Sequence, residues 1–298
     1  MKRACERSPP VPPQEREDGN SGFKKQENMV LFNWMVIPTL LVGYLLFWFG
    51  YWLASKVKSK WRLTTIALMA CIPALPGVLT AIYYLHLFDS WAAFYQFRSL
   101  PGSELLASGV GLGGGIIAFS AKQAAGQRIA STFGLVTIMT LGIVLPHLKP
   151  LLAPADLNNF TNSWNGAVCK QSKGYSCGAA SAVTILHHYG IEATEKEIAE
   201  ECFTYSGGTE NWYIARALRA RGLEVSFQTK VNLKEITVPC IAGVEVAGVG
   251  HFIAILEDLG DSYRTGDPLV GERNHPKKSI QSFYSFTGFF MEVNSGRW

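Results

Sequence analysis

Gln171-Ser172-Lys173-Gly174-Tyr175-Ser176-Cys177-Gly178-Ala179-Ala180 sets a glutamine six residues before a cysteine, and the cysteine opens a helix-forming run. From Cys177 to Tyr189 the residues Ala180, Val183, Ile185 and Leu186 supply a buried side, and Gly190 stops the run. Cys177 therefore falls in the first turn of an amphipathic helix. There it meets the positive end of the helix dipole and unpaired backbone N–H groups, both of which favour thiolate over thiol. Gly178 leaves room beside the sulfur, and the small Ala179, Ala180 and Ser181 let the helix approach a sheet closely. The backbone N–H of Cys177, with the Gln171 side-chain amide as a second donor, can hold a developing oxyanion. A buried structural cysteine needs none of this arrangement.

Downstream, His251 stands in Gly248-Val249-Gly250-His251-Phe252-Ile253 on an apolar strand, and Asp267 in the turn Gly266-Asp267-Pro268. Alone, the histidine reads as a packed core residue and the Asp-Pro as a turn. Beside a thiol, an imidazole supplies the base and then the acid that acyl transfer needs, and a carboxylate fixes its tautomer. Asp258 and Asp261 compete for that last role from what reads as an exposed hairpin loop, and spacing does not rank the three.

Around these positions the pattern is of helices first and strands afterwards. Thr194-Glu195-Lys196-Glu197 is a capping box opening a helix to about Cys202. Glu210 to Arg221 forms another, with Ile214, Ala217 and Leu218 on one face and Gly222 at its end. Strands follow at Leu223–Thr229, Val238–Val246, His251–Leu256, Ser262–Thr265 and Phe286–Val293. The fold class is α+β, helices layered on a sheet.

The four motifs together resemble the bacteriocin-processing, double-glycine leader peptidases, a papain-like group. Its members carry a Gln, six residues on a Cys followed by Gly, then a Gly-His-Phe strand and an Asp-Pro. The matches are Gln171, Cys177-Gly178, Gly250-His251-Phe252 and Asp267-Pro268, within Ala167 to Val293. The resemblance implies a papain-like fold with Gln171 as oxyanion donor, Cys177 as nucleophile, His251 as general base and Asp267 as its orienter. It implies a peptide or protein substrate and a separate transporter as a partner. Two features depart from it. The peptidase-like region follows apolar segments instead of preceding them, and Ser176 stands where an acidic residue or glycine is usual before Cys-Gly.

The remainder of the chain is of another kind. Residues 1–28 are polar, rich in Pro and charge, and lack both apolar periodicity and a signal-peptide core, so a disordered tail is expected. Apolar runs at 29–54, 64–88, 105–121 and 129–147 are each read as a membrane span, since ~20 residues cross a ~30 Å hydrocarbon layer. Trp34, Trp48, Tyr51 and Trp52 suit its interfacial belts. Pro73 and Pro76 should kink the second span, and Pro146 and Pro150 should end the fourth. The third is short and loosened by Gly109, Gly111, Gly113, Gly114 and Gly115; such density lets helices pack closely, with a re-entrant segment as the competing reading. The organisation expected is a tail (1–28), an all-α membrane domain (29–149), a connector (150–166) and a papain-like domain (167–298).

Four spans put both termini on one side. The loop Ser55–Arg62 carries Lys56, Lys58, Lys60 and Arg62, and the loop between the third and fourth spans carries Lys122 and Arg128. Asp89–Glu104 offers only Arg98, so the positive-inside tendency sets the C-terminal domain on the extracytoplasmic side, with Arg16, Lys24 and Lys25 opposing.

Bulk properties fit this division. The 298 residues are 48% hydrophobic, with a mean hydropathy of +0.12, high for a soluble protein and mild for a purely membrane one. The net charge of +4 reflects membrane-flanking basic residues better than a nucleic-acid surface. No GxxxxGK[ST] loop occurs, so no ATPase activity is expected of the chain. The six cysteines form no CxxC pair, and neither a metal nor an organic cofactor is expected. His187-His188 reads as a packed or solvated pair before it reads as metal ligands. Gly207-Gly208 reads as a turn before it reads as a cleavage site, and Cys202 and Cys240 are available to pair if the domain is outside.

The function expected is a membrane-bound cysteine peptidase acting near the bilayer. A transpeptidase or thioesterase on the same residues is the competing reading, as is a membrane-anchored module that binds peptides without cutting them.

Overall fold

The computed structural model describes residues 31–84, 91–125 and 128–296. The tail expected over 1–28 lies outside the described residues, as do residues 85–90 and the side chains of Lys122 and Arg128. Uncharged apolar sequence forms helix α1 (Val36–Lys56) and α2 (Lys60–Tyr84). A short α3 (Ala92–Arg98) leads into α4 (Ser103–Leu106), which continues through a 3₁₀ turn into α5 (Val110–Ala125), and α6 (Arg128–Leu152) follows. Four helical stretches, Val36–Lys56, Lys60–Tyr84, Ser103–Ala121 and Thr132–Leu152, are long and apolar enough to cross a membrane.

The glycine-rich third stretch is a helix, and its glycines are contact points. A Cβ at Gly109, Gly111 or Gly115 would run into the carbonyl oxygen of Pro73, Gly43 or Phe47, so α5 lies backbone to backbone against α1 and α2. Two details differ from expectation. The first helix begins at Val36, seven residues late, and Pro146 and Pro150 lie inside α6 instead of ending it. Each proline removes one helical hydrogen bond, a loss apolar helices tolerate where neighbouring groups meet the freed carbonyls.

After a connector, the small hairpin β1 (Trp164–Asn165) and β2 (Val168–Cys169) precedes three helices, α7 (Cys177–His188), α8 (Glu195–Glu201) and α9 (Asn211–Ala220). The capping box at α8 is complete: Glu197 N–H donates to Thr194 Oγ1 and Thr194 N–H to Glu197 Oε2, at 3.2 and 2.8 Å. Then come β3 (Leu223–Gln228), β4 (Cys240–Val246), β5 (Val249–Asp258), β6 (Ser262–Asp267), β7 (Gly271–Pro276), α10 (Ile280–Phe283) and β8 (Ser285–Ser295). The six strands β3 to β8 form one antiparallel sheet in the order β3-β8-β4-β5-β6-β7. The α+β layering expected from sequence is the observed fold, with β7 as a strand that the pattern did not announce.

One face of the sheet packs with α7 and α9 into the main core, around Ile185, Leu186, Trp212, Leu218, Ala254 and Met291. The opposite face carries a smaller core of Cys240, Ile253, Ile255, Tyr263, Tyr284 and Phe290. Cys202 and Cys240 therefore lie on opposite faces, and both are free and buried.

Helix α9 is buried nearly all round because it is covered twice. Ile214 and Leu218 join the main core, while Trp212, Tyr213, Arg216 and Arg219 meet the loop between the second and third apolar helices. Arg216 is bidentate on Glu104, at 2.7 and 3.1 Å, and also donates to the Arg98 carbonyl and Ser103 Oγ. Asn33 Nδ2 donates to Tyr213 Oη at 3.0 Å, and Lys149 pairs with Glu210 at 2.7 Å. One end of the apolar helices is thereby locked to the α+β domain.

Candidate active site

Ser176 precedes α7 without capping it through its side chain; its hydroxyl turns back to Lys173, accepting from that N–H at 3.0 Å and donating to the carbonyl at 2.9 Å. This knot folds the chain tightly ahead of the helix and leaves the first-turn N–H groups without a side-chain cap. Gly178 sits tightly: a Cβ would stand 2.9 Å from Ile214 Cδ1 and 3.3 Å from Thr209 Cβ, so a side chain there displaces its neighbours. Further along α7, Ser181 Oγ donates to the Phe252 carbonyl at 3.0 Å, fixing the helix against the strand that bears His251.

His251 faces Val244 across β4 and β5 and is only 7% exposed. Its Nε2 meets Asp267 Oδ1 at 2.9 Å, which leaves Nδ1 for the hydrogen bond to Cys177. Burial opposes the imidazolium, but the hydrogen bonds to Asp267 and Cys177, with their charges, prevail and raise the His251 pKa to about 9. Asp267 ends β6, 3% exposed. Burial pushes its carboxyl up; the His251 and Leu269 N–H bonds, the His251 charge and the Tyr284 hydroxyl outweigh that and hold it below the usual carboxylate range.

Gln171 reaches the same place from the other side. Its backbone N–H donates to the Pro268 carbonyl at 3.1 Å, tying it to the turn beside Asp267. Its Nε2 donates to the Lys173 carbonyl at 2.9 Å. That bond fixes the amide orientation, since a flipped Oε1 would face another acceptor, and it leaves one amide hydrogen free. Among the described residues Gln171 Oε1 accepts no hydrogen bond. Cys177, His251 and Asp267 thus form one hydrogen-bonded row, and Gln171 is fastened to Pro268, next to Asp267, and to Lys173, in the loop before Cys177.

Sequence reasoning missed two supports. Glu195, read only as part of a capping box, is fully buried, and its carboxylate accepts from the Ser172 N–H at 2.8 Å and from the Ser172 hydroxyl. It pins the residue next to Gln171. Tyr284 donates to Asp267 Oδ2 at 3.1 Å from the smaller core. Neither has a local motif, because each acts across a fold that only the structure assembles.

The competing residues lie elsewhere. Asp258 is in the β5–β6 hairpin, paired with Lys277, and exposed there with Asp261. His187 stacks on Trp164 with ring centroids 4.7 Å apart, and Gly208, with φ +122°, forms a turn with Tyr205. Among the described residues no group of three or more His, Cys, Asp or Glu is arranged to hold a metal. A thiol, an imidazole and a carboxylate in a row, with N–H donors at the thiol, can form an ion pair, attack a carbonyl and pass the proton to a leaving group.

Comparison with known proteins finds relatives for the same part of the chain. Residues 165–297 match the peptidase C39 family. An uncharacterized protein of Methanothermobacter thermautotrophicus is 29% identical over 133 residues, covering 45% of this chain and 92% of that protein. A probable functional amyloid protease of Pseudomonas aeruginosa, FapD, is 24% identical over 119 residues, 36% of this chain; the match spans about half (51%) of that relative. Among solved structures, the peptidase domain of Streptococcus ComA, a bi-functional ABC transporter involved in a quorum-sensing pathway, is 22% identical. That match covers 44% of this chain and 98% of that domain, with a TM-score of 0.38. Residues 165–297 of this chain are a domain of the peptidase C39 family, a family of cysteine peptidases.

Proposed function

We propose that the chain is a membrane-bound cysteine peptidase that cleaves a peptide or protein substrate beside the bilayer, with Cys177, His251 and Asp267 as its catalytic residues. The observation that carries this reading is the continuous hydrogen-bonded row from Cys177 through His251 to Asp267. A module that only binds peptides needs no such row.

In this mechanism the Cys177 thiolate, paired with the His251 imidazolium, attacks the scissile carbonyl carbon. The carbonyl oxygen takes the negative charge, held by the Cys177 N–H and the free hydrogen of the Gln171 amide; losing one such donor costs about 10²–10³ in rate. The imidazolium then gives its proton to the amine as the C–N bond breaks, leaving a thioester on Cys177. Neutral His251 takes a proton from water, which attacks the thioester, and the acid product leaves with the thiol restored. Asp267 keeps its charge throughout and steadies the imidazolium.

Proximity to the membrane has its own support. Gly178, next to the nucleophile, packs against Thr209, and the adjoining Glu210 pairs with Lys149 near the end of the last apolar helix. The division into a membrane domain (29–149), a connector (150–166) and a peptidase domain (167–298) belongs to this proposal. So does an extracytoplasmic peptidase, since Lys56, Lys58, Lys60 and Arg62 lie at the far end of α1 and α2 from the docked domain. If the substrate is exported, its transporter is read as a separate protein.

The test uses the full chain in lipid vesicles. Cys177→Ala should abolish hydrolysis of the peptide substrate and labelling by an active-site thiol probe; unchanged turnover in that variant sinks the reading. A C-terminal tag reached by added protease in intact cells supports the sidedness, and a protected tag reverses it.

A further inference from the structure

We propose that Tyr284 is a positioning residue of this peptidase site, holding the Asp267 carboxylate in register with His251 through its hydroxyl. This rests on the Cys177–His251–Asp267 reading above.

Asp267 is gripped on both oxygens. Oδ1 takes the His251 Nε2 bond at 2.9 Å and the Leu269 N–H at 2.8 Å, and Oδ2 takes the Tyr284 hydroxyl at 3.1 Å. The two grips come from separate parts of the fold. His251 comes from β5 and Leu269 from the turn between β6 and β7, whereas Tyr284 follows α10 and is buried in the smaller core with Tyr263 and Phe290. A carboxylate held by one oxygen can still turn about its side-chain bonds and carry the imidazole with it. Held by both, it fixes the plane in which His251 meets Cys177.

The surroundings leave this task to Tyr284. In front of Asp267 stand His251 and Cys177. Behind Tyr284 stand His275 and Arg273 of β7, and the Thr265 hydroxyl of β6 also bonds to the phenol. His275 stacks edge-on to the Tyr284 ring at 5.4 Å; burial, then the Arg273 charge, lowers its pKa, so at neutral pH it adds no positive charge. Burial and the Asp267 charge raise the Tyr284 pKa, so its proton stays in place to be donated. Among the described residues Tyr284 is the one side chain donating to Asp267 Oδ2.

The experiment follows alkylation of Cys177 by iodoacetamide against pH in the full chain, by mass spectrometry, which needs no known substrate. Tyr284→Phe keeps the ring in the core and removes only the donor. Asp267 then protonates more readily, so the acid limb of the profile should move up by about one pH unit, with the melting temperature little changed. Replacing Tyr284 with a fluorotyrosine, a more acidic phenol of nearly the same shape, should move that limb the opposite way. A residue that merely fills the core would give no such reversal of sign. An acid limb unmoved in both, while Asp267→Asn alters the profile, overturns the proposal and leaves the triad standing. If Asp267→Asn also leaves it unchanged, the triad reading falls and takes this one with it. Should Tyr284→Phe fail to fold, the fluorotyrosine arm decides alone.

Discussion

Replacing Arg216 with leucine should loosen the α+β domain from the apolar helices by about 3 kcal/mol. Glu104, at 1% exposure, takes two hydrogen bonds from Arg216 at 2.7 and 3.1 Å. Once Arg216 is gone, its carboxylate keeps a long ion pair with Arg98 at 3.9 Å, a weak bond from Asn33 at 3.4 Å and its own backbone N–H. Removing one partner of a buried pair typically costs 3–5 kcal/mol, because a charge is left buried without compensation. Arg98 offsets part of it, which sets the estimate at the low end, about 3 kcal/mol. The double variant Glu104→Leu/Arg216→Leu removes that orphaned carboxylate, although Arg98, 2% exposed, then loses its own anionic partner. Thermal unfolding in detergent of the wild type, both single variants and the double variant forms a cycle whose coupling energy should be about 2–3 kcal/mol. A single Arg216→Leu variant as stable as the wild type, or a coupling under about 0.5 kcal/mol, would refute the argument that Glu104 depends on Arg216.

Asp267→Asn should lower the alkaline limb of Cys177 alkylation, because the bond to Asp267 helps raise the His251 pKa to about 9. With the carboxylate lost, burial pulls the imidazole down toward the ordinary histidine value or below, and the ion pair at pH 7.5 falls by on the order of tenfold. A limb that stays near 9 would show that Asp267 does not support the imidazolium. Gly111→Leu should prevent correct packing of α1 against α5, because a side chain there meets the Gly43 backbone and overpacking costs about 1–3 kcal/mol or more. Size-exclusion in detergent would report loss of monodisperse protein, and a normal profile would contradict the close approach.

Much of the site was legible because its parts are short and local. A glutamine six residues before a helix-opening cysteine, a Gly-His-Phe strand and an Asp-Pro each carry meaning in a few residues. The apolar helices announced themselves by length, although α6 ran through two prolines that the pattern treated as its end. Strand β7, Gly-Glu-Arg-Asn-His-Pro, escaped because it has no apolar alternation; it is held by its ladder with β6. Glu195 and Tyr284 escaped for a different reason. Each acts on a partner 23 or 17 residues away, through contacts that no local period encodes. The seam was hidden likewise: Arg98 and Glu104 read as ordinary loop charges until α9 arrived to bury them.

Strand β3 stands at the end of the sheet nearest the apolar helices, and its outer carbonyl groups are not open to water alone. Gln96 and Arg219 both donate to the Val225 carbonyl, at 3.5 and 2.6 Å, and Tyr95 stacks on Phe227. The opposite margin, β7, meets the β1–β2 hairpin at Gly271 and Glu272 and bears Arg273 and Asn274 beyond it, a polar border that discourages another chain from pairing. The two margins are thus protected by different means, one by polar side chains and one by the helices' own loop. Cut away from its apolar half, the peptidase would keep Arg219 on that margin but lose Gln96 from the Val225 carbonyl and Tyr95 from Phe227, inviting strand-by-strand association between copies. The apolar half is in this sense a chaperone built into the chain, shielding a border of the peptidase domain that the rest of the sequence leaves partly bare.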